Sequence, residues 1–514
     1  MFHTDFASFK QDSMSYQTIP VIKSFQVDTF TPIQLFKVFE DEAVYLLESK
    51  DAESSWSRYS FIGLNPFLFI EEENDRYCVR SKQRNTIYES SSLKEIFQWM
   101  DGYLKVKLPD LDIPFAGGAV GYLGYDSVTM FERVPKHANQ DLNFKKCLLF
   151  VCHTMIAFDH IDKTLSFIHY ERLSGKESEG GKRAVYDIAE AKINQLISQL
   201  TEKRDFNDLM LSPMDQASVS FEGVTSNFEK DDFLDSVEKI KEYIRAGDIF
   251  QGVLSQRFEM PITAKGFDLY RMLRVVNPSP YMFYIKFDET ELIGSSPERL
   301  IYVQDGYLEI HPIAGTRKRG KTEEEDLRLE EDLRSDEKEK AEHYMLVDLA
   351  RNDIGRVADY GTVKTPVLME LGRFSHVMHL ISKVTGQLKT GIHPIDALLS
   401  SFPAGTVSGA PKVRAMQILQ ELEPTARNAY AGCIAYIGFD GNIDSCITIR
   451  TISLQGGKAY VQAGAGIVAD SKPELEWKET RNKASALIKT IELAEKVFGK
   501  KEEAEHENIT QQMH

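Results

Sequence analysis

EKEKAEHYMLVDLARNDIGR, residues 337–356, predicts one helix that carries carboxylates and apolar side chains on the same face. Glu339 and Glu342 are spaced i,i+3, and the stripe continues through Leu346 and Leu349. Carboxylates on a face that meets the core need a partner, because burying an unpaired anion is costly. The stretch therefore predicts a helix that both packs against the core and contributes to a site.

A second pair of glutamates repeats this pattern near the end of the chain. Glu476 and Glu479 are also spaced i,i+3, within the helical segment KPELEWKET, and neither pair has an evident internal cation. Such carboxylates would bind a hard divalent cation, and Mg²⁺ shared with water and an anionic substrate fits this chemistry. The alternative, that both charged runs are solvated helix faces, is common for such sequences.

Composition indicates a globular chain and excludes several classes of partner. The 514 residues suffice for roughly two to four domains or one large α/β body. A net charge of −17 argues against nucleic acid or an anionic membrane as the main partner. Five cysteines without CxxC spacing suggest neither disulfides nor zinc. The N-terminus lacks a signal-peptide pattern, so we expect a cytoplasmic protein. The longest apolar run, residues 147–158, is too short to span a bilayer, so we expect it to form a buried strand.

The chain divides into a strand-rich half and a mixed half. Predicted strands lie near 43–49, 58–70, 117–126 and 145–158, and a helix lies near 185–200. The second half opens with the capping-box pattern of Ser226 and Glu229, and its first helix should end at Gly247. The predicted parts are an N-terminal segment (1–17), a regulatory strand-rich half (18–205), a linker (206–226), a catalytic half (227–498) and a polar tail (499–514).

Gly464-Ala465-Gly466 follows the strand-like KAYVQA and matches the start of a GxGxxA dinucleotide fingerprint. The next residues are helical and lack the following strand with its acidic end, so a dinucleotide site is disfavoured. A glycine turn whose N–H groups face a carboxylate fits better, and tight packing is an equal alternative. Arg450 stands among Ile and Thr in CITIRTI, and its charge requires an anion.

An ordered set of longer motifs resembles the large subunit (component I) of anthranilate synthase, a chorismate-using enzyme. The resemblance covers nearly the whole chain and is strongest from about 228 to 490. It implies an α+β fold, with a large two-layer body of antiparallel β-sheets flanked by helices. The motifs are GDIFQGVLSQ, NPSPYM, GSSPERL, PIAGTRKRG, AEHYMLVDLARNDIGR, HVMHL, GTVSGAPKVRAMQ, GCIAYIGFDGNIDSCITIRT and VQAGAGIVADS.

The resemblance also assigns a metal site and a proton donor. It implies that Glu342 and Glu479 bind Mg²⁺, with Glu339 and Glu476 supporting the ion through water. Glu298 matches the general acid that protonates the departing C4 hydroxyl. His379 and Thr316 match further catalytic positions, and the substrate-binding positions implied by the resemblance are Gly315, Thr316, Thr406, Tyr436, Arg450, Gly464, Ala465 and Gly466. Among these, the resemblance implies that Tyr436 and Arg450 together hold the enolpyruvyl carboxylate of chorismate.

The implied reaction is a lyase reaction that converts chorismate and ammonia to anthranilate and pyruvate, the first committed step of tryptophan biosynthesis. Related water-using enzymes carry a lysine where this chain has Gln251, and aminodeoxychorismate synthases typically carry one where it has Ala314. Both residues favour anthranilate. The alternatives are aminodeoxychorismate synthase component I and a non-catalytic ligand-sensing pseudo-enzyme, which would have lost metal ligands.

The resemblance further implies feedback inhibition by L-tryptophan and a partner subunit. The inhibitor site matches Glu48, Ser49, Pro280, Tyr281 and Met282. No glutaminase nucleophile motif surrounds any cysteine, so ammonia should come from a separate glutamine amidotransferase subunit (component II) in a hetero-oligomer.

Overall fold

The computed structural model describes residues 3–49, 58–202, 219–373 and 377–499. Its β ladders are antiparallel. The strands are β1 (Thr18–Gln26), β2 (Ala43–Glu48), β3 (Tyr59–Glu73), β4 (Arg76–Ser81), β5 (Thr86–Ser90), β6 (Gly118–Leu123), β7 (Cys147–Asp159), β8 (Thr164–Arg172), β9 (Thr225–Ser226), β10 (Gln251–Pro261), β11 (Tyr281–Phe287), β12 (Thr290–Ser296), β13 (Arg299–Gln304), β14 (Tyr307–Ile310), β15 (Ile313–Lys318), β16 (Lys364–Arg373), β17 (Val377–Gln387), β18 (Gly409–Ala410), β19 (Cys433–Gly438), β20 (Ile443–Ile447), β21 (Thr451–Gln455) and β22 (Lys458–Ile467).

Helices cover the outer faces of these sheets. They are α1 (Phe6–Asp12), α2 (Pro32–Val38), α3 (Leu93–Leu104), α4 (Glu179–Thr201), α5 (Lys230–Ala246), α6 (Gly266–Val276), α7 (Glu323–Ser335), α8 (Glu337–Gly355), α9 (Pro394–Ser401), α10 (Gly405–Ser408), α11 (Lys412–Leu422) and α12 (Pro473–Phe498). A 3-10 helix spans Tyr125–Met130.

Two long strands, β3 and β7, belong to both sheets of the body. They pair along their length, with a register shift between Pro66 and Leu68. At one end of the β3–β7 pair, the sheet continues from β3 through β2, β11, β12, β21 and β22 to β10. On the other side of the pair it continues from β7 through β8 to β1. The other end continues through β6, β19, β20, β13 and β14 to β17. Strands of 15 and 13 residues are long enough to serve two sheets.

The core has three main layers. An aromatic layer, including Phe61, Phe150 and Phe283, lies between the sheets. A second layer packs one outer face against helices that include α6 and α12. A third packs the other outer face against α3, α8 and α9. The predicted fold class, two layers of antiparallel sheet flanked by helices, is confirmed.

The predicted elements of the first half are mostly present. The apolar run at 147–158 is the buried strand β7, and the helix near 185–200 is α4. Each helix within the described ranges is either too short or too polar to span a bilayer.

Strands from both halves pair in the same sheets, as in β2 with β11 and β6 with β19. Most of the predicted linker, 203–218, and nearly all of the tail, 500–514, lie outside the described residues.

One helix start was predicted wrongly. Helix α5 begins at Lys230 with Glu229 as its N-cap, and no side chain caps it. Ser226 instead lies in β9 and donates from its hydroxyl to Gln256, 2.8 Å away. The predicted end is confirmed, because Gly247 adopts φ +85, a left-handed conformation that suits glycine.

Candidate active site

The two glutamate pairs lie in the first turns of α8 and α12. Asp336 is the N-cap of α8, and its carboxylate accepts from the backbone N–H groups of Lys338 and Glu339, at 3.0 and 3.2 Å. Glu339 and Glu342 follow within two turns, and Leu346 further along the same stripe is buried. Acidic side chains near a helix N-terminus are favoured by the helix dipole.

The carboxylates of the two helices lie close enough to perturb one another. Burial raises the pKa of Glu342, and the charges of Glu339 and Glu479 raise it further. Burial also raises the pKa of Glu476, and the charge of Glu479 adds to this increase. Like charges held together favour protonation or a shared cation. The oxygen donors of this cluster fit a hard divalent ion such as Mg²⁺.

Two cations form ion pairs with glutamates of the cluster, contrary to the sequence-based prediction of unpartnered carboxylates. Arg317 donates from Nη1 to Oε1 of Glu339 at 3.1 Å. Lys483 lies 2.8 Å from Oε1 of Glu479, one helical turn away. Within the described ranges, no Lys or Arg forms an ion pair with Glu342 or Glu476. The cluster is therefore only partly neutralised by the protein.

Lys483 was not recognised as a site residue in the sequence. Besides Glu479, its ammonium contacts the carbonyl oxygen of Gly464 at 3.0 Å, and its charge lowers the pKa of Glu298. The i,i+4 spacing from Glu479 was the available signal, but it is also typical of ordinary surface ion pairs.

Glu298 is a carboxyl group poised to exchange a proton near neutral pH. It stands between β12 and β13, and its carbonyl accepts from the N–H of Ile447 at 3.0 Å. Burial raises its pKa to about 7, while the nearby Thr406 hydroxyl and the charge of Lys483 act in the opposite direction. Thr406 belongs to the short helix α10. A carboxyl group with such a pKa suits general acid catalysis.

Thr316 and His379 are directly opposite one another on β15 and β17. The Nδ1 atom of His379 lies 3.1 Å from the Thr316 hydroxyl and 2.9 Å from the Gly315 carbonyl oxygen. Gly315 adopts φ +68, and a Cβ there would approach Leu333 to 2.9 Å and a Glu339 oxygen to 3.4 Å. This ladder therefore passes directly beside the glutamate cluster.

The Gly464-Ala465-Gly466 segment is extended, so the prediction of a glycine turn was wrong. These residues lie in β22 and pair with Ser255 to Val253 of β10. A Cβ on Gly464 would come within 2.9 Å of the Tyr430 hydroxyl. A Cβ on Gly466 would come within 2.6 Å of the Gln251 amide nitrogen. The two glycines thus allow polar groups to approach the strand closely.

Arg450 is a half-buried cation without a carboxylate partner in the described part of the chain. Burial lowers its pKa, whereas the nearby Tyr430 hydroxyl acts in the opposite direction. Its backbone also adopts the left-handed region, at φ +51. A desolvated guanidinium left unpaired by the protein suits an anionic ligand.

Tyr436 lines a cavity whose walls do not include Arg450, so its predicted place beside that residue is corrected. Its ring stacks on Phe115 with centroids 4.6 Å apart, and it lines a different cavity, together with Ser49. The tyrosine beside Arg450 is Tyr430, which sequence reasoning missed. Tyr430 lies in the irregular segment between α11 and β19, where no periodicity could single it out.

The other cavity has a volume of about 370 Å³ and brings together all the predicted inhibitor-binding residues. Strand pairing of Glu48 with Met282 joins their two segments. The Ser49 hydroxyl is buried and has no hydrogen-bond partner in the described ranges. The cavity walls include Glu48, Ser49, Tyr59, Phe61, Pro280, Tyr281, Met282, Tyr302, Tyr436 and Asp444.

Glu48 forms part of the wall rather than presenting a free carboxylate. It accepts from the Tyr270 hydroxyl at 2.6 Å and from Arg274 at 3.1 Å. These bonds satisfy a charge that is almost fully buried.

Comparisons with known proteins agree with this architecture. Residues 43–489 match a family described as chorismate binding enzyme. The chain is 58% identical over 510 residues to anthranilate synthase component 1 of Bacillus subtilis (strain 168), covering 99% of each chain. It is 57% identical over 500 residues to the Geobacillus stearothermophilus protein of the same name, covering 97% of this chain and 98% of that one.

Solved structures show the same fold. The crystal structure of anthranilate synthase component I from Streptococcus pneumoniae TIGR4 has a TM-score of 0.72 and 36% identity, covering 85% of this chain and 94% of that one. A menaquinone-specific isochorismate synthase from Escherichia coli has a TM-score of 0.66 and 18% identity, covering 95% and 98%, which supports the fold alone. The predicted resemblance to component I of anthranilate synthase is confirmed.

Proposed function

This chain belongs to the chorismate-binding enzyme family, and from that premise we propose that it converts chorismate and ammonia to anthranilate and pyruvate. Its relatives over nearly the full length are named anthranilate synthase component 1. The observation that carries the proposal is the position of Lys483, which contacts Glu479 of the glutamate cluster and lowers the pKa of Glu298. The proposed proton donor and the proposed metal-binding glutamates would therefore act in one site.

The substrate carboxylates would be held at two places. Arg450 and the Tyr430 hydroxyl would bind the enolpyruvyl carboxylate, because Arg450 has no carboxylate partner among the described residues. Glu342 and Glu479 would hold Mg²⁺, supported through water by Glu339 and Glu476. The bound ion would supply positive charge to the other carboxylate and orient the ring.

The protonated Glu298 would then drive the first step. Ammonia forms a bond to C2, the ring double bonds shift, and the C4–O bond breaks as Glu298 gives its proton to the leaving hydroxyl. Water leaves, and the nitrogen loses a proton. In the second step the C2 hydrogen is removed as a proton and the C3–O bond breaks, which leaves the aromatic ring of anthranilate. The departing enolpyruvate takes up a proton at its methylene carbon and becomes pyruvate.

Two residues favour anthranilate over related products. The Gln251 amide lies against Gly466 and near enough to Glu342 to lower the pKa of that carboxyl, and this neutral amide cannot serve as the base that activates water. Ala314 lies on β15, two residues before Thr316, and offers no amine to attack the ring. Aminodeoxychorismate synthesis is the second candidate, because ammonia and chorismate serve both reactions.

Product identity tests this choice. Purified protein is incubated with chorismate, Mg²⁺ and ammonium at alkaline pH, and the product is identified by fluorescence and mass. Anthranilate with stoichiometric pyruvate supports the proposal. Formation of 4-amino-4-deoxychorismate or isochorismate without anthranilate would show that the choice between related enzymes is wrong, and the same reaction with excess EDTA provides the metal-free control.

We further propose that L-tryptophan inhibits the enzyme by binding the 370 Å³ cavity. The buried, unpaired Ser49 hydroxyl offers a hydrogen bond, and the aromatic walls suit an indole ring. Inhibition requires that tryptophan bind one conformation more tightly than the chorismate-competent conformation.

A separate amidotransferase subunit is the proposed source of ammonia from glutamine. All five cysteines are buried free thiols, and burial raises the pKa of Cys147, Cys152, Cys433 and Cys446, so none suits a nucleophile. Free thiols also suit the cytoplasm, where we place the proposed hetero-oligomer.

A further inference from the structure

The candidate active site and the 370 Å³ cavity meet at the start of strand β13. Glu298 and Arg299 line the space beside Thr406, whereas Tyr281 and Asp444 line the cavity. Arg299 directly follows Glu298 in the chain. A movement of the Arg299 side chain would therefore act on the backbone that carries the proton donor.

The Arg299 guanidinium is held from both sides. Its Nε donates to the Tyr281 hydroxyl at 2.8 Å, and its Nη1 donates to Glu309 at 2.7 Å. The Tyr281 hydroxyl in turn donates to Asp444 at 3.1 Å. The Arg299 and Asp444 side chains are each only 6% exposed, so water does not readily replace these partners.

The backbone provides a second connection. Tyr281 pairs with Ser296 in the β11–β12 ladder, and the N–H of Glu298 donates to the Ser296 hydroxyl at 3.4 Å. On the other side, Tyr281 is followed by Met282, which pairs with Glu48 beside the cavity. Tyr281 therefore contacts the cavity with its ring and the Glu298 segment with its hydroxyl and its strand.

We propose that Tyr281 and Arg299 are positioning residues for Glu298, and that they transmit occupancy of the cavity to the proton donor. The transmission half of this inference rests on the proposed function of the cavity as a tryptophan site. A ligand that displaces the Tyr281 ring would break the bond between the Tyr281 hydroxyl and Arg299. Arg299 would then take a different position from the one it has when the cavity is empty, and Glu298, the residue before it, would move with it. Tyr281 and Arg299 are therefore the link between inhibitor and chemistry.

The test uses two variants and one matched control. Tyr281→Phe keeps the ring in the cavity and removes the hydroxyl that bonds to Arg299 and Asp444. Arg299→Lys keeps the charge but loses the planar fork that contacts two acceptors. Tyr307→Phe removes a hydroxyl that bonds to Glu309, and Tyr307 lines neither space. Thermal melting of each protein establishes that it is folded.

Two quantities are measured for each protein. The first is the coupling factor, the ratio of the tryptophan Kd with and without chorismate when ammonia is withheld. For the parent we expect a coupling factor of about 5 to 150. For Tyr281→Phe and Arg299→Lys we expect the coupling factor to be smaller by about threefold or more. The second is the pair of kinetic constants, kcat and the chorismate KM, measured with ammonia as the nitrogen source. Both variants should lose about tenfold or more in kcat with little change in the chorismate KM, and Tyr307→Phe should match the parent in both quantities.

Each result decides the matter. The inference is overturned if both variants show the parent's coupling factor for tryptophan and also keep the parent's kcat. Loss of tryptophan binding in Tyr281→Phe would make Tyr281 a ligand rather than a link, and would also overturn it. A parent that does not bind tryptophan refutes the proposed regulation instead, and the kcat of the two variants then still decides whether they position Glu298.

Discussion

Replacing Glu298 with glutamine should cost activity and increase stability at alkaline pH. An ordinary glutamate has a pKa near 4.5, and burial raises that of Glu298 to about 7. Ionising it in the folded protein therefore costs about 3 kcal/mol more than in the unfolded chain. Glutamine has a similar shape and no proton to lose, so Glu298→Gln removes this cost.

The sign follows from proton linkage. Below the unfolded pKa, the folded and unfolded chains both hold the proton, and Glu298 has no effect. Between about 4.5 and 7 the unfolded chain releases the proton while the folded chain keeps it, so stability falls as pH rises. Above the folded pKa the loss is complete. We expect Glu298→Gln to exceed the parent by about 3 kcal/mol at pH 8.5 and by about 1 kcal/mol at pH 5.

Urea denaturation at these two pH values measures the difference, and Glu242→Gln at an exposed position is the control. Anthranilate formation by Glu298→Gln should fall by about 10²- to 10⁴-fold, as expected for loss of a general acid. At constant free ammonia, the parent's kcat/KM for chorismate should decline above about pH 7, where Glu298 ionises. A less stable variant at pH 8.5, the same gap at both pH values, or activity close to the parent's would refute the reasoning.

Three further outcomes are expected. Glu342→Ala or Glu479→Ala should abolish turnover without changing the circular dichroism spectrum. The control Glu337→Ala, at an exposed position on the same helix as Glu342, should remain active. Activity of the parent in excess EDTA would contradict a metal requirement. Ser49→Phe should fill the cavity and remove inhibition by tryptophan while leaving the ammonia-dependent rate largely intact; a variant as sensitive as the parent would place the inhibitor elsewhere. Glutamine should support anthranilate formation only when a glutaminase subunit is added, so glutamine-dependent turnover by the pure chain would refute the partner proposal.

The sequence determined the features that depend on neighbours along the chain. The i,i+3 spacing placed Glu339 with Glu342 on one helix face, because 3.6 residues per turn fix that geometry locally. The apolar run at 147–158 predicted the buried strand β7 for a similar reason. Long ordered motifs identified the family, because each motif is a run of neighbouring residues that can be read without knowing the fold.

Tertiary structure alone decided which distant residues meet. Tyr430, not Tyr436, lies beside Arg450, because strand pairing and strand direction send Tyr436 to the opposite cavity. The glycines at 464 and 466 are extended because β10 pairs with them, which no local pattern shows. Arg317 reaches Glu339 from another element. Such contacts depend on how separate elements pack, and packing is set by long-range burial and hydrogen bonding that neighbouring residues do not encode.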